Sequence, residues 1–432
     1  MFGIVLRVFF CFSFLMISCT VYSQTILPQQ TNAVLGARSV LVIRGLDPAT
    51  HTWDVADSDL TSTQTALDAY VRKSSFDKAW IGTFDITPVY EFTVGGNLSY
   101  TYMSDTIRNL AIADGYNVND YNVIIYTYRS TTDLNGAGAL GGGNGLNGSV
   151  WMPGQLFGAE KGVIHEVFHA FGMGHAENIE GGDVMFPGPS NGGHDPYHFM
   201  GSEQGDADIP NYMKYMLGWI DPTEIHVQSL TPATCETIRV HEASFIDAYD
   251  NSKKYSMQLG DDLWVSYVPE TDNPNMVTHG VLLHHIPNPG AGLATPRIID
   301  TEPASISTLP PGVSSNYLPV IDFWDAAMEV GEEVFWEGAT IKVVSTGGTG
   351  DEQWVDIEIC QCIQISGDTD NDGICDAADQ CEGFDDSLDS DFDLIPNDCD
   401  ICPNDPNNDS NNDNICDDVQ CLSLVKETFD YV

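Results

Sequence analysis

The strongest chemical signal in the chain is a short segment that contains three histidines and one glutamate. His165 and His169 are four residues apart, so on a helix both imidazoles can face a single metal ion. Glu166 projects beside that face, where a carboxylate can hold a metal-bound water without ligating the metal. Gly172 tolerates the left-handed turn that ends the helix and returns His175 as a third ligand. Three protein ligands leave one coordination position open, which is typical of catalytic zinc.

The same segment resembles the metzincin metalloprotease signature, H-E-x-x-H-x-x-G-x-x-H, which a methionine-containing turn follows. Within the metzincins the chain is most similar to the gametolysin-like branch and related bacterial secreted peptidases. Residues 195–201 and the helix predicted at 211–219 carry that similarity, which covers residues 39–220 and fades beyond them. The resemblance implies a metzincin-like catalytic domain, built from a twisted mixed sheet and helices.

A methionine beneath the three imidazoles is a further feature that the resemblance implies. Met200 is the residue expected at this turn, by its similarity to the gametolysin-like branch. Met185 is the alternative, because the segment around it resembles the turn of the matrix metalloproteases. Either methionine could instead be a space-filling core residue. His194 and His198 are interpreted as loop residues rather than as ligands.

These features predict a secreted zinc-dependent endopeptidase that acts on protein or peptide substrates. Zinc would polarise the scissile carbonyl and lower the pKa of its bound water to roughly 7. Glu166 would then take the water proton and deliver it to the leaving amine. The alternative is a non-catalytic adhesion or matrix-binding protein that uses a metzincin-like module and calcium repeats. A structural zinc protein would require a fourth protein ligand.

The elements that must position the site alternate between strands and helices, which predicts an α/β layer. Buried strands are expected at residues 39–46 and 121–128. One helix is expected to begin at a capping box formed by Thr61 and Gln64, and another at Ser104. The helix that carries the histidines is predicted at residues 158–171.

The glycine-rich segment 136–154 admits two interpretations. It could be a flexible loop. It could also be an edge strand whose backbone comes close to an extended ligand, because glycine has no Cβ to keep the two apart. On the second interpretation, a peptide substrate would lie beside this strand and be held by main-chain hydrogen bonds.

Beyond Trp219 the pattern changes to alternating β sequences, which predict an all-β second domain with Cys235 and Cys360 near its two ends. A sequence rich in Asp, Asn and Cys follows. The predicted organisation is a signal peptide (1–23), a metzincin-like catalytic domain (24–222), a β-sandwich-like domain (223–363), acidic repeats (364–422) and the start of a further element (423–432). The apolar and aromatic residues at the end of the chain indicate that the natural protein continues.

The acidic repeats resemble thrombospondin type 3 repeats and are predicted to bind calcium. Carboxylates at alternate positions around a glycine turn suit a hard cation that takes six to eight oxygen ligands. The alternative is a disordered acidic linker. The expected calcium ligands are Asp368, Asp370, Asp372, Asp376, Asp379, Asp389, Asp391 and Asp393.

The first residues read as an export signal, with Arg7 before an apolar run and a small-residue cleavage site before Gln24. The protein is therefore predicted to be extracellular, with a lipid anchor at Cys19 as the alternative and no membrane span after signal removal. Export favours disulfides among the remaining cysteines. A formal net charge of −47 argues against nucleic-acid binding. The repeats could contact extracellular matrix or a cell surface.

Overall fold

A computed structural model describes residues 27–30, 33–94, 99–129, 139–144, 146–154, 160–179, 195–202, 207–228, 235–270, 278–287, 295–301, 323–336, 339–361, 381, 383–384, 388, 390, 395–404 and 416. The predicted export segment, Met185 and His194 lie outside the described residues, as do all the Asp residues predicted to bind calcium.

The described residues form helices α1 (Asp57–Ser74), α2 (Tyr100–Ala113), α3 (Glu160–Ala170), α4 (Phe199–Ser202) and α5 (Asn211–Met216). The strands are β1 (Gly36–Leu46), β2 (Ala79–Glu91), β3 (Val123–Arg129), β4 (Leu140–Gly143), β5 (Gly148–Pro153), β6 (Glu177–Asn178), β7 (Ile225–Gln228), β8 (Cys235–His241), β9 (Ser256–Leu259), β10 (Leu263–Val268), β11 (Gly280–His285), β12 (Arg297–Ile298), β13 (Glu333–Trp336), β14 (Ala339–Gly347) and β15 (Trp354–Gln361).

The first sheet has the order β2-β1-β3-β5-β4, in which the first four strands are parallel and β4 is antiparallel at the edge. Helices cover both faces, and successive residues of β1 pack on opposite sides. Val40 and Val42 belong to the cluster that contains α1 and α3, whereas Leu41 and Ile43 pack with α2. Burial on both faces explains why β1 and β3 read as continuous apolar runs.

The two strands predicted at 39–46 and 121–128 are confirmed within β1 and β3, but both predicted helix starts are wrong. Helix α1 begins at Asp57 without a side-chain cap, and Thr61 lies inside it, where its hydroxyl donates to the carbonyl of Asp57. Helix α2 is capped by Ser99, whose Oγ accepts from the Tyr102 amide at 3.0 Å. A serine or threonine inside a helix can bond to the preceding turn, so its presence does not mark a helix start.

The second half of the described chain is rich in strands, as expected. A six-stranded sheet has the order β6-β12-β11-β10-β9-β7, and a four-stranded sheet has the order β13-β14-β15-β8. Side chains from both sheets form one hydrophobic cluster, which includes Val265 of β10 and Ile357 of β15. The α/β and β-rich parts of the predicted fold are thus confirmed, and the metzincin type of the first part stays a prediction.

The six-stranded sheet also packs against the site-bearing region. Trp264 of β10 is 2% exposed and its ring lies 5.0 Å from Tyr212 and 5.2 Å from Tyr215, both on α5. Strand β6 follows α3 in the chain and pairs with β12 of the six-stranded sheet. One hydrophobic cluster therefore includes residues on both sides of position 222.

Three disulfides lie among the described residues, and Cys235–Cys360 joins β8 to β15 at paired positions. The others are Cys381–Cys399 and Cys402–Cys416, which lie in the acidic repeat region. These pairings fit the expected use of disulfides. Among the described residues, no helix combines the length and the apolar character needed to cross a membrane.

Candidate metal centre

Helix α3 is held tightly against the edge of the first sheet. Val163, Val167 and Phe168 bury one face of the helix in the main hydrophobic cluster. On the sheet side, a Cβ added to Gly141 would overlap the carbonyl oxygen of Glu166, and one added to Gly143 would overlap that of Ala170. Glycine in β4 is thus required for the close approach of the helix backbone.

The described part of the glycine-rich segment contains the edge strand β4 and its neighbour β5, so the edge-strand interpretation is confirmed for β4. Among the described residues, the glycines of β4 allow the close approach of α3, the helix that carries His165 and His169. The contact with α3 does not test whether a peptide binds along the outer edge of β4, and that binding stays a prediction.

The imidazoles of the three predicted ligands converge. Nε2 of His169 lies 3.1 Å from Nε2 of His165 and 3.2 Å from Nε2 of His175. Ligand nitrogens about 2.0–2.1 Å from one tetrahedral ion are ~3.3 Å apart, so these separations fit a single metal ion. The three residues can hold such an ion.

The tautomer of His169 supports metal binding. Its Nδ1 lies 2.7 Å from the carbonyl oxygen of Met173, which can only accept a hydrogen bond, so Nδ1 carries the hydrogen. Nε2 of a neutral His169 then presents a lone pair to its two neighbours. A backbone carbonyl on the second ring nitrogen is the usual means of orienting a histidine ligand.

Burial favours the neutral form of His165 and His169. Burial first, and then the adjacent His169 and His175, lower the pKa of His165 to about 3, against a weak opposing effect of the Phe199 backbone. Burial also lowers the pKa of His169. Metal ligation requires the unprotonated ring, so these shifts favour it near neutral pH. Exposure increases from the buried His165 to the exposed His175, which leaves one side of the group open to solvent.

The turn that returns His175 has the predicted geometry. Gly172 has a φ of 93°, in the left-handed region, and the amide of Met173 bonds to the carbonyl of Phe168 across the helix end. This is a glycine C-cap, in which the residue after the helix reverses the chain direction. This reversal of the chain brings His175 back towards the two histidines of the helix.

Met200 is fully buried in the main hydrophobic cluster. Its carbonyl accepts from the amide of Ala176, the residue after His175, at 3.0 Å. The ring of the preceding Phe199 lies 6.0 Å from that of His165. The segment is therefore anchored beside two of the histidines, and its assignment as the methionine turn stays a prediction.

Glu166 is partly exposed on α3, next to the buried His165. Burial, followed by the negative charge of Glu166, raises the pKa of Tyr100 at the start of α2. The Tyr100 phenol therefore lies in the electrostatic field of the predicted general base. Sequence reasoning did not identify Tyr100, because residues so far apart in the chain meet only through the packing of two helices on one sheet.

A second group of possible ligands was also missed. Asp195, His198 and His284 are all buried, and their ligand atoms lie within 4.8 Å of one another. His198 is in a loop, as expected, but it is 5% exposed and its Nδ1 lies 2.8 Å from Oδ2 of Asp195. The sequence signal available was His284, a histidine at an inward position of the apolar strand β11.

Comparison with known protein families gives no match, and no curated protein matches the chain.

Proposed function

We propose that the protein is a zinc-dependent endopeptidase with Glu166 as its general base. The observation that carries the proposal is the convergence of three imidazoles beside Glu166 of α3. Nε2 of His169 lies 3.1 Å from that of His165 and 3.2 Å from that of His175. The donor set is the one that zinc takes at catalytic sites, since three nitrogens leave a fourth position for a water or substrate. A bound zinc ion would supply Lewis acidity and a water of lowered pKa.

The chain's own residues account for the remaining steps. His165, His169 and His175 would hold the ion, and the Met173 carbonyl orients the ring of His169. Glu166 accepts a proton from the attacking water and returns it to the amine of the leaving peptide. Its partial exposure leaves the carboxylate accessible to both partners in this transfer.

The proposed substrate is an extended peptide that pairs with the outer edge of β4. This strand ends the first sheet, and among the described residues no strand covers its outer side. One face of β4 packs on α3 at the level of Glu166, so a peptide on the free edge would pass close to the metal. Main-chain hydrogen bonds to an exposed edge are a common mode of peptide recognition.

The protein is proposed to act outside the cell. Disulfides in the β-rich part and in the acidic repeats are typical of proteins in oxidising compartments. The repeats are proposed to bind calcium and to act as a stiff spacer, which could contact extracellular matrix or a cell surface.

The proposal is tested by hydrolysis of casein or gelatin by the purified protein, with zinc content measured in parallel. Glu166→Gln should lower kcat/KM by roughly 10²–10⁴ and leave zinc content unchanged, because the residue is not a ligand. Glu160→Gln, on the first turn of the same helix, is the matched control and should retain activity. Full activity of Glu166→Gln would remove the assigned mechanism. Zinc binding without turnover in any form would favour the non-catalytic binding module.

A further inference from the structure

The second buried group joins two distant parts of the chain. Asp195 and His198 lie just before α4, and His284 comes from β11 of the six-stranded sheet. Oδ2 of Asp195 lies 2.8 Å from Nδ1 of His198 and 3.0 Å from Nε2 of His284. Oδ1 of the same carboxylate accepts from the amide of Tyr197 at 2.9 Å. One carboxylate oxygen is thus shared by two imidazoles.

The charge of this group requires an explanation. Asp195 is fully buried, and in the described part of the chain no Lys or Arg forms an ion pair with it. Two imidazoles and one backbone amide contact this buried carboxylate. Buried carboxylates in proteins are paired with a cation or coordinate a metal ion.

We propose that Asp195, His198 and His284 form a second metal site, which takes a divalent first-row transition-metal ion. Two imidazoles and one carboxylate are a donor set that binds zinc and iron(II). Ligand atoms at 2.8 and 3.0 Å fit bonds of about 2.0–2.1 Å at angles near 90°. A bound ion would place a positive charge next to this buried carboxylate.

A small cavity beside the group has room for a further ligand. His198 and Ser266 line it, and its volume of about 20 Å³ is sufficient for one water molecule. Ser266 is 5% exposed, and within the described residues its Oγ has no hydrogen-bond partner. A water in this cavity would satisfy Ser266 and complete the coordination of the ion.

The position of the group gives the second ion a structural role. Residues 195–200 run from the proposed site to Met200, whose carbonyl bonds to the residue after His175. An ion held by Asp195, His198 and His284 therefore ties this segment to the six-stranded sheet. Because all three ligands are buried, the second site is closed, unlike the solvent-open group on α3.

The number of transition-metal ions per chain tests the proposal. The full-length protein, loaded with zinc and dialysed, should contain two zinc ions by mass spectrometry of the metal. His169→Gln should retain one, His284→Gln should retain one, and the double variant should retain none. His226→Gln, which changes a histidine outside both groups, is the control and should retain two.

A wild-type content of one zinc, lost in His169→Gln, would overturn the proposal and indicate that a protonated imidazole compensates Asp195. Two zinc ions that both persist in folded His284→Gln and Asp195→Asn would also overturn it. Should both variants fail to fold, cobalt(II) titration of the wild type decides, since two equivalents with separate absorption bands are expected and a single equivalent contradicts the site. None of these readouts depends on Glu166 or on peptide hydrolysis.

Discussion

At the scale of single residues, His165 should make the metal-free protein less stable in acid. Its pKa in the folded state is lowered to about 3, by burial first and then by the two neighbouring imidazoles, whereas the unfolded chain has the ordinary value of 6.5. Between these two values the unfolded state binds a proton that the folded state does not. The free energy of unfolding of the metal-free protein should therefore fall as pH decreases from 6.5 towards 3, by up to about 1.4 kcal/mol per pH unit.

Urea denaturation in the presence of a chelator, at several pH values between 7 and 4, measures this dependence. His165→Gln removes the titrating group, so its free energy of unfolding should change less steeply with pH than that of the wild type. Parallel curves for the two proteins would contradict the assignment of the effect to His165.

The residues of the two histidine groups show how far the sequence alone could lead. His165, His169 and His175 lie within a single helix and its C-terminal turn, so their spacing determines their convergence. Asp195 and His284 are 89 residues apart and meet only because β11 packs beside the loop before α4. Because no local sequence pattern indicates that contact, the second group could not be predicted as a group.

At the scale of elements, the contact between β4 and α3 positions Glu166. A Cβ at Gly141 would overlap the Glu166 carbonyl oxygen, whereas one at Gly142 would meet no atom within 4 Å. Gly141→Ala should therefore displace the helix, cost about 1–3 kcal/mol of stability and lower both zinc affinity and hydrolysis. Gly142→Ala is the matched control and should change stability by less than about 0.5 kcal/mol. Zinc affinity and denaturation midpoints, measured on both variants, check this; equal behaviour would contradict it.

Helix α5 depends on a buried ion pair between Lys214 and Asp208. Asp208 also accepts from the Ser74 hydroxyl at 2.6 Å and from the amide of Phe245 at 3.1 Å, so this carboxylate links three segments. Lys214→Met should cost about 3–5 kcal/mol, because it leaves the Asp208 charge buried without its cation. The double variant Lys214→Met/Asp208→Asn should recover part of that loss.

The control for this prediction is the exposed pair of Arg239 and Asp356 on the four-stranded sheet. Arg239→Met should cost less than about 1 kcal/mol, since solvent screens this pair. Chemical denaturation of the three variants and the wild type gives the comparison. A loss in Lys214→Met no larger than that in Arg239→Met would show that the buried pair is not required.

At the scale of the whole molecule, the sequence could predict the types of layer but not how they meet. The apolar runs of β1 and β3 predict strands that are buried on both faces, and the alternating patterns after position 222 predict sheets. The two-residue strand β6 has no such pattern, because its pairing with β12 depends on a partner 120 residues away. The contact between the α/β layer and the six-stranded sheet therefore depends on tertiary packing, which local sequence patterns do not indicate.

A substitution of Trp264 tests how far the stability of the two layers depends on the contact between them. It is buried between the six-stranded sheet and Tyr212 and Tyr215 of α5, in the cluster that also contains the core of α3. Trp264→Ala should cost about 3–5 kcal/mol and raise hydrogen exchange in both the first and the six-stranded sheet, because residues of both belong to the cluster in which the cavity would form. Trp354→Ala is the control, since Trp354 is only partly buried and stacks on Arg239, and it should cost about 1 kcal/mol. Faster exchange confined to the six-stranded sheet in Trp264→Ala would show that the two layers open independently.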